Sequence, residues 1–399
     1  MGGWEGKVDI HRIFVLQPTR PQTFFGVGAL ARLDGILAGL AAAGRDKVLL
    51  VTDTVAYRAS GAWDTVRPML ERHVAWEHFD GVRPNPTYAN CEAAAALGRE
   101  LGATAVLAIG GGSALDTAKT AAVLLVHPRK KASDFYEKGA PVTGALPLVA
   151  VNTSHGTGSE VGAFAVAQSD GEEKPAIRSP HLYPVQTIED PALTVSLPVK
   201  LTVSTAMDAL CHALEAATAV TASPYSITLA REAVRLVAAF LPTAIVQPGN
   251  LAARYWLMYA SAIAGMSFDL GLLHVTHALE HAMSALNADI PHGEGLGILL
   301  PAVLREIYPA APEVLADILA PIAPGLAGRP GEAETAVARV REWLAAIGQP
   351  ATMGAYFTGV DVPALTRMAM KSSLAKMLLP LAPIRVDCGV VERIFQHSL

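Results

Sequence analysis

Three short runs, Lys47-Val-Leu-Leu-Val-Thr-Asp53, Thr104-Ala-Val-Leu-Ala-Ile109 and Leu146-Pro-Leu-Val-Ala-Val151, restrict the architecture of this chain more than any other feature. Each is apolar at successive positions rather than alternate ones, the pattern of a strand covered on both faces. Stretches of helical character separate them, at roughly 27 to 43, 60 to 72, 88 to 102 and 114 to 127. Strand and helix in alternation form βαβ units, so the first half is expected to be an open α/β sheet. The segment Val8 to Val27 reads as an extra hairpin feeding that sheet.

From about Thr194 onward the pattern changes to long Ala/Leu-rich amphipathic runs interrupted by Pro or Gly, which predicts a helical domain with little strand. The boundary falls near Asp190-Pro191, giving domains 1–192 and 193–399. Within the second, the Pro/Ala/Gly-rich stretch 309 to 335 reads as a loose connection between helices. With 399 residues and 51% hydrophobic content, the chain is long enough for two sizeable cores. A net charge of -5 gives no basic field, so nucleic acid is not an expected partner. Met1 to Phe14 carries Glu5, Lys7, Asp9 and Arg12 where an export signal would be apolar, and Tyr255 to Phe268 is too short to span a bilayer. A cytoplasmic protein without membrane insertion is expected. Cysteines 91, 211 and 388 have no paired spacing, which fits a reducing compartment.

The second half carries the chemistry. In Thr205-Ala-Met-Asp208-Ala-Leu-Cys-His212-Ala-Leu-Glu215, Asp208 and His212 stand four apart in a helix-favouring run and project from one face. In His274-Val-Thr-His277-Ala-Leu-Glu-His281, three histidines at i, i+3 and i+7 again share a face, and His292 follows in Pro291-His292-Gly293. A lone histidine on an apolar face is usually a satisfied core residue. Five of them between His212 and His292, in a segment with few other polar groups, would be expensive to bury without a common purpose. Asp208 with three of these histidines would offer a divalent cation a nitrogen and oxygen shell without thiolate, suited to a catalytic first-row metal. Cys211 is about 100° around the helix from His212 and reads as core.

The strand ending at Ile109 runs directly into Gly110-Gly-Gly-Ser113-Ala-Leu-Asp116, which opens a helix. Glycines let main chain approach a diphosphate, and the free amides of a helix N-terminus attract it. The pattern is not GxGxxG, and a tight strand-to-helix turn is the competing reading. A second loop, Asn152-Thr-Ser-His-Gly156-Thr-Gly158-Ser-Glu160, follows the next strand and offers hydroxyls and amides at the same sheet edge. Asp53, at the end of its strand, can accept from the adenosine ribose hydroxyls and repel a 2′-phosphate, which favours NAD over NADP, or it can cap the following helix.

Taken together, GGGSALDTAK, TSHGTGSE, IEDPALTVSLP, MDALCHALE and HVTHALEH with PHG resemble, in order and over nearly the whole chain, the iron-containing group III alcohol dehydrogenases. The resemblance implies an α/β N-terminal Rossmann-like domain and an all-α C-terminal domain, the dehydroquinate synthase-like fold, with NAD(P) and a divalent metal in the cleft between them. It maps the metal ligands onto Asp208, His212, His277 and His292, leaving out His274, and a further histidine of the site onto His281. The nucleotide side maps onto Asp53, Asn85, Gly111, Gly112, Ser113, Asp116, Thr153, Thr157 and Lys174. The chain departs from the family pattern at Ala114, at His155, at Phe268-Asp-Leu and by one extra residue between His281 and His292. These departures bear on the shape of the substrate pocket.

The expected reaction is hydride exchange between a small alcohol and NAD, with NADP as second candidate, at iron(II) or at zinc, manganese, cobalt or nickel, with His281 relaying the proton. A homodimer is expected. A hydroxyacid–oxoacid transhydrogenase and a dehydroquinate synthase-like lyase are the alternatives; both need cationic clamps for an anionic substrate. Between Leu201 and Leu300 the only basic residues other than histidine are Arg231, Arg235 and Arg254, all on stretches that read as ordinary amphipathic helix.

Overall fold

The computed structural model of the protein describes residues 21–169 and 174–399. They fall into two compact units, 21–197 with 248–258, and 198–247 with 259–399.

The first unit is built on strands β1 (Gln22–Phe25), β2 (Lys47–Asp53), β3 (Ala75–Val82), β4 (Ala105–Gly110), β5 (Leu148–Asn152) and β8 (Gln186–Glu189), which form one sheet in the order β1-β8-β5-β4-β2-β3. Every pairing in it is parallel. A small antiparallel pair, β6 (Phe164–Val166) and β7 (Ala176–Arg178), stands beside it. The connecting helices are α1 (Arg32–Ala42), α2 (Ala56–Ala59), α3 (Ala62–His73), α4 (Tyr88–Leu101), α5 (Gly112–Val126) and α6 (Ala132–Tyr136).

The continuous apolar runs are explained by two cores. Leu49, Val51, Val106, Ala108 and Ala150 point to one face and pack with Ala94, Leu115 and Ala118 of α4 and α5. Their neighbours Val48, Leu50, Leu107, Ile109 and Val151 point to the other and pack with Leu33, Leu37, Val66 and Leu70 of α1 and α3. Each fully buried Leu or Ile contributes about 1.5–3 kcal/mol, so a charge at Leu107 would break the sheet centre. Within the segment Val8 to Val27, expected to form a hairpin feeding the sheet, the described Gln22–Phe25 form β1, which pairs in parallel with β8, residue for residue. Val8 to Arg20 lie outside the described residues. Because β2, β4 and β5 run the same way, Asp53, Gly110 and Asn152 end at one sheet edge, where open α/β sheets bind ligands.

The second unit consists of α7 (Val199–Thr218), α8 (Pro224–Val246), most of α9 (Leu251–Gly271), α10 (Val275–Leu286), α11 (His292–Ile307), α12 (Pro312–Leu319), α13 (Ala333–Ala346), α14 (Val362–Lys371), α15 (Ser373–Leu378) and α16 (Cys388–Gln396), with no strand among its described residues. Every side chain of α7 from Ala206 to Thr218 is buried, including Cys211, which makes α7 the axis of this unit. α11 comes so close to it that a Cβ on Gly293 would stand 1.7 Å from the Ser204 carbonyl oxygen. Only glycine fits there. The stretch 309 to 335, expected to be loose, contains α12, which begins at Pro312 and buries Leu315, Ile318 and Leu319. Pro at the first helical position starts a helix rather than stopping one. No single helix among the described residues is long and apolar enough to cross a membrane.

Candidate active site

In the helical unit, α7 carries Asp208 and His212 one turn apart, α10 carries His277, and α11 begins with His292. All three imidazoles turn a nitrogen toward one oxygen, Asp208 Oδ1: His212 Nε2 at 3.4 Å, His277 Nε2 at 3.5 Å and His292 Nε2 at 3.7 Å. These separations exceed ordinary hydrogen bonds. The first two fall within, and the third lies 0.1 Å beyond, the spacing of roughly 3.3–3.6 Å between donors that share one ion tetrahedrally at bond lengths of about 2.0–2.2 Å. The donor set is nitrogen and oxygen only, and it can hold a divalent first-row cation.

The distal nitrogens of two of these rings are also held. His277 Nδ1 lies 2.5 Å from Glu215 Oε2, and the other Glu215 oxygen accepts the Thr276 amide at the start of α10. His292 Nδ1 contacts Glu280 Oε2, an ion-pair partner with no solvent exposure. His212 is stacked between Phe268 and His277, each ring centroid 4.5 Å away. Phe268 therefore backs a candidate ligand directly, at one of the positions where the chain departs from the family pattern. His281 is half-buried one turn past His277, its ring 5.3 Å from that of His292. His274 stands behind Glu215 rather than facing Asp208: its Nδ1 accepts the Val275 amide as the cap of α10 and lies 3.3 Å from Glu215 Oε1, and its Nε2 meets Thr218 Oγ1 at 2.9 Å.

The charges reinforce one another. Burial opposes ionisation of Asp208, yet the surrounding His212, His277 and His292 outweigh it and hold its pKa below the usual carboxylate range. Burial likewise opposes ionisation of Glu215, but His274, His277 and the Thr276 amide hold it down to about 2. Burial would lower His277; Glu215 and Asp208 override that and raise it to about 9. At the entrance of α11, the buried Glu294 accepts the Tyr356 hydroxyl and lies 3.7 Å from Lys200 Nζ.

In the α/β unit the second site is made of main chain. Gly110 has a φ of 154°, and a Cβ there would stand 2.6 Å from Ala114 Cβ. Cβ atoms on Gly111 and Gly112 would come within 3.0 Å of Ser154 Oγ and 2.5 Å of Thr157 Cγ2. The glycines therefore admit the loop after β5, and Thr153 closes the contact by donating its amide to the Gly110 carbonyl at 3.1 Å. Ser113 follows in the first turn of α5. Asp53 forms the capping contacts its position allows, Oδ1 accepting the amides of Val55 and Ala56 at the start of α2, while Oδ2 faces Gly110. Asn85, at φ 56°, accepts from Lys174 Nζ at 3.0 Å. Asp116 is turned inward, accepting from Ser159 Oγ at 2.6 Å and the Val166 amide at 3.0 Å, so it ties α5 to the second loop.

Several residues of these sites were missed in the sequence. Arg254 is not on an ordinary amphipathic face: it is fully buried, donating to the Pro248 and Leu197 carbonyls, with His155 Nε2 at 3.1 Å. Glu215 and Glu280 were passed over as well. Their signal was visible, since His-Ala-Leu-Glu occurs twice, at 212–215 and 277–280.

The profile of the family described as iron-containing alcohol dehydrogenase matches residues 20–191, and that of the family's C-terminal part matches residues 202–399. The chain belongs to the iron-containing alcohol dehydrogenase family. A long-chain primary alcohol dehydrogenase of Thermoanaerobacter ethanolicus is 46% identical over 99% of this chain and 100% of its own length. A 1,3-propanediol dehydrogenase of Klebsiella pneumoniae is 35% identical over 83% of this chain and 87% of its own. Among solved structures, a 1,3-propanediol oxidoreductase superposes with a TM-score of 0.87 at 31% identity, covering 97% of this chain and 100% of that one. The NADH-dependent butanol dehydrogenase A of Thermotoga maritima gives 0.88 at 26% identity, covering 97% and 98%. This member of the family is an NAD-linked alcohol oxidoreductase.

Proposed function

We propose that this dehydrogenase interconverts neutral primary alcohols and their aldehydes, with iron(II) held by Asp208, His212, His277 and His292 and with NAD preferred over NADP. The observation that carries the reading is the approach of three imidazole nitrogens to Asp208 Oδ1. When bound, the ion would supply Lewis-acid polarisation of the substrate oxygen, and the nicotinamide would supply the acceptor for the carbinol hydride. His281 accepts the hydroxyl proton and passes it to solvent, a role its half-exposed position allows. The net change is alcohol plus NAD⁺ to aldehyde plus NADH and a proton. Asp53 Oδ2 selects against the 2′-phosphate, and the amides of 111–113 with Thr153 and Thr157 receive the diphosphate; Asn85 and Lys174 act as a pair beside the nucleotide, and Asp116 positions the loops.

A neutral substrate is favoured because the basic residues of the helical unit between Lys200 and Leu300 each lie beside a carboxylate: Arg231 by Asp317, Arg235 by Glu232, and Lys200 by Glu294. A substrate carboxylate or phosphate would need them. The names of the relatives, a long-chain primary alcohol and a propanediol dehydrogenase, point the same way. We propose a homodimer in the cytoplasm, in keeping with three unpaired cysteines. The test is chelation followed by refilling: activity is expected to vanish with the metal and return with iron(II), with steady NADH release from free NAD and a primary alcohol. Turnover that needs an added oxoacid and releases no NADH would favour the transhydrogenase, and full activity after exhaustive chelation would overturn the metal reading.

A further inference from the structure

We propose that Glu215 and Glu280 are positioning residues that fix the tautomer and aim of two metal-binding histidines, each reaching from one ligand-bearing helix to the histidine of the next. The inference rests on the ligand set proposed above. The two His-Ala-Leu-Glu tetrapeptides form a chain: His212 and Glu215 lie on α7, and Glu215 holds His277 on α10; His277 and Glu280 lie on α10, and Glu280 holds His292 on α11. In both pairs the carboxylate lies beside Nδ1 and Nε2 faces Asp208 Oδ1, so with an ion bound the remaining ring proton would sit on Nδ1 and the Nε2 lone pair would be left for the ion.

Stability alone gives these carboxylates little reason to be present. A buried ion pair is often no better than apolar packing of similar volume, and Glu280 has no exposed surface at all. The fold nevertheless makes room for it: a Cβ on Gly295 of α11 would come within 2.8 Å of Glu280 Cγ and 3.1 Å of its Oε1. Glu215 is anchored further by the Thr276 amide, so its carboxylate fixes both the start of α10 and the ring one residue later. A carboxylate behind a metal-binding imidazole raises its basicity and locks its orientation; loss of such a partner typically weakens metal binding by about 10–100-fold.

The measurement is the Kd for cobalt(II), by chelator competition on the full-length metal-free enzyme, with the visible spectrum of the bound ion as second readout. Glu280→Met should bind cobalt(II) about 10–100-fold more weakly and alter the spectrum. Glu280→Gln, whose amide oxygen can accept from Nδ1, should lose less, and Glu215→Gln should behave like it. His212→Ala serves as the control for the site itself and should bind no cobalt(II). Wild-type Kd and spectrum in Glu280→Met, with cobalt lost in His212→Ala, would overturn the positioning role while leaving the ligand set intact. Cobalt(II) bound normally by His212→Ala would instead sink the ligand assignment. If Glu280→Met fails to fold, Glu280→Gln decides, and an unchanged Kd there overturns the proposal.

Discussion

Around Gly110 to Gly112 the candidate ligand surface is main chain, and side chains matter by their absence; around Asp208 it is a ring of side chains with further carboxylates behind them. A phosphate is met by amides that any sequence supplies, provided nothing projects into the way. A small cation needs particular atoms at particular distances. The first kind of site is specified by what is left out, the second by what is put in and supported, and each fails differently when altered.

Substituting glycines in both sites would stress that contrast most severely. Gly293→Ala would drive a Cβ into the Ser204 carbonyl, which is backbone and cannot swing aside, so α11 must move and His292 with it. Metal content and turnover should be lost, with several kcal/mol of stability, at or beyond the usual 1–3 kcal/mol of overpacking. Gly112→Ala meets the Thr157 side chain instead. It should weaken NAD binding on the order of 10-fold and leave metal content intact. Binding titration and metal analysis of the two variants check both statements; if Gly293→Ala keeps its metal, the side-chain site depends less on backbone approach than described here.

Asp53 is a side chain placed in the main-chain site. Because Oδ1 caps α2, Asp53→Gly would remove a cap together with a charge, whereas Asp53→Asn removes only the charge. Like-charge repulsion of a partly desolvated 2′-phosphate is worth on the order of 1–3 kcal/mol, so Asp53→Asn should raise kcat/KM with NADP about 10-fold while the wild type prefers NAD. A wild type equally active with both cofactors would remove the basis for this role.

A smaller effect concerns His155, whose pKa is pushed down to about 3 by burial and then by the Arg254 charge. Folded protein keeps this ring neutral while unfolded chain binds a proton below about 6.5, so its stabilising contribution is complete above that pH and is lost as pH falls toward 3. Between pH 6.5 and 5 the wild type should lose up to about 2 kcal/mol that His155→Gln, still able to accept from Arg254, does not lose. Denaturant titrations of the metal-free proteins at several pH values would reveal it, and parallel pH curves would contradict it.

The legible parts of the fold were those whose environment is uniform. β2, β4 and β5 are covered on both faces and announce themselves by unbroken apolar runs. β3 is an edge strand carrying Glu77, His78 and Asp80, which hide its period, and β8 is only four residues long. The metal cluster was legible because helical spacing converts i, i+4 directly into proximity. The repeat of His-Ala-Leu-Glu marked Glu215 and Glu280, but not their partners, since each pairs with a histidine on another helix rather than the one three residues before it. Arg254 was misread for the same reason, its partner His155 lying 99 residues away.

The most direct test of a side-chain-built centre is metal analysis of His277→Ala beside His281→Ala. His277 Nε2 faces Asp208 Oδ1 with its far side held by Glu215, whereas His281 approaches the ring of His292 from the half-exposed side. His277→Ala should purify without metal. His281→Ala should keep its metal and turn over roughly 100-fold more slowly, with a flatter pH dependence between about 6 and 8. Metal retained by His277→Ala and lost from His281→Ala would contradict the account and exchange the two roles.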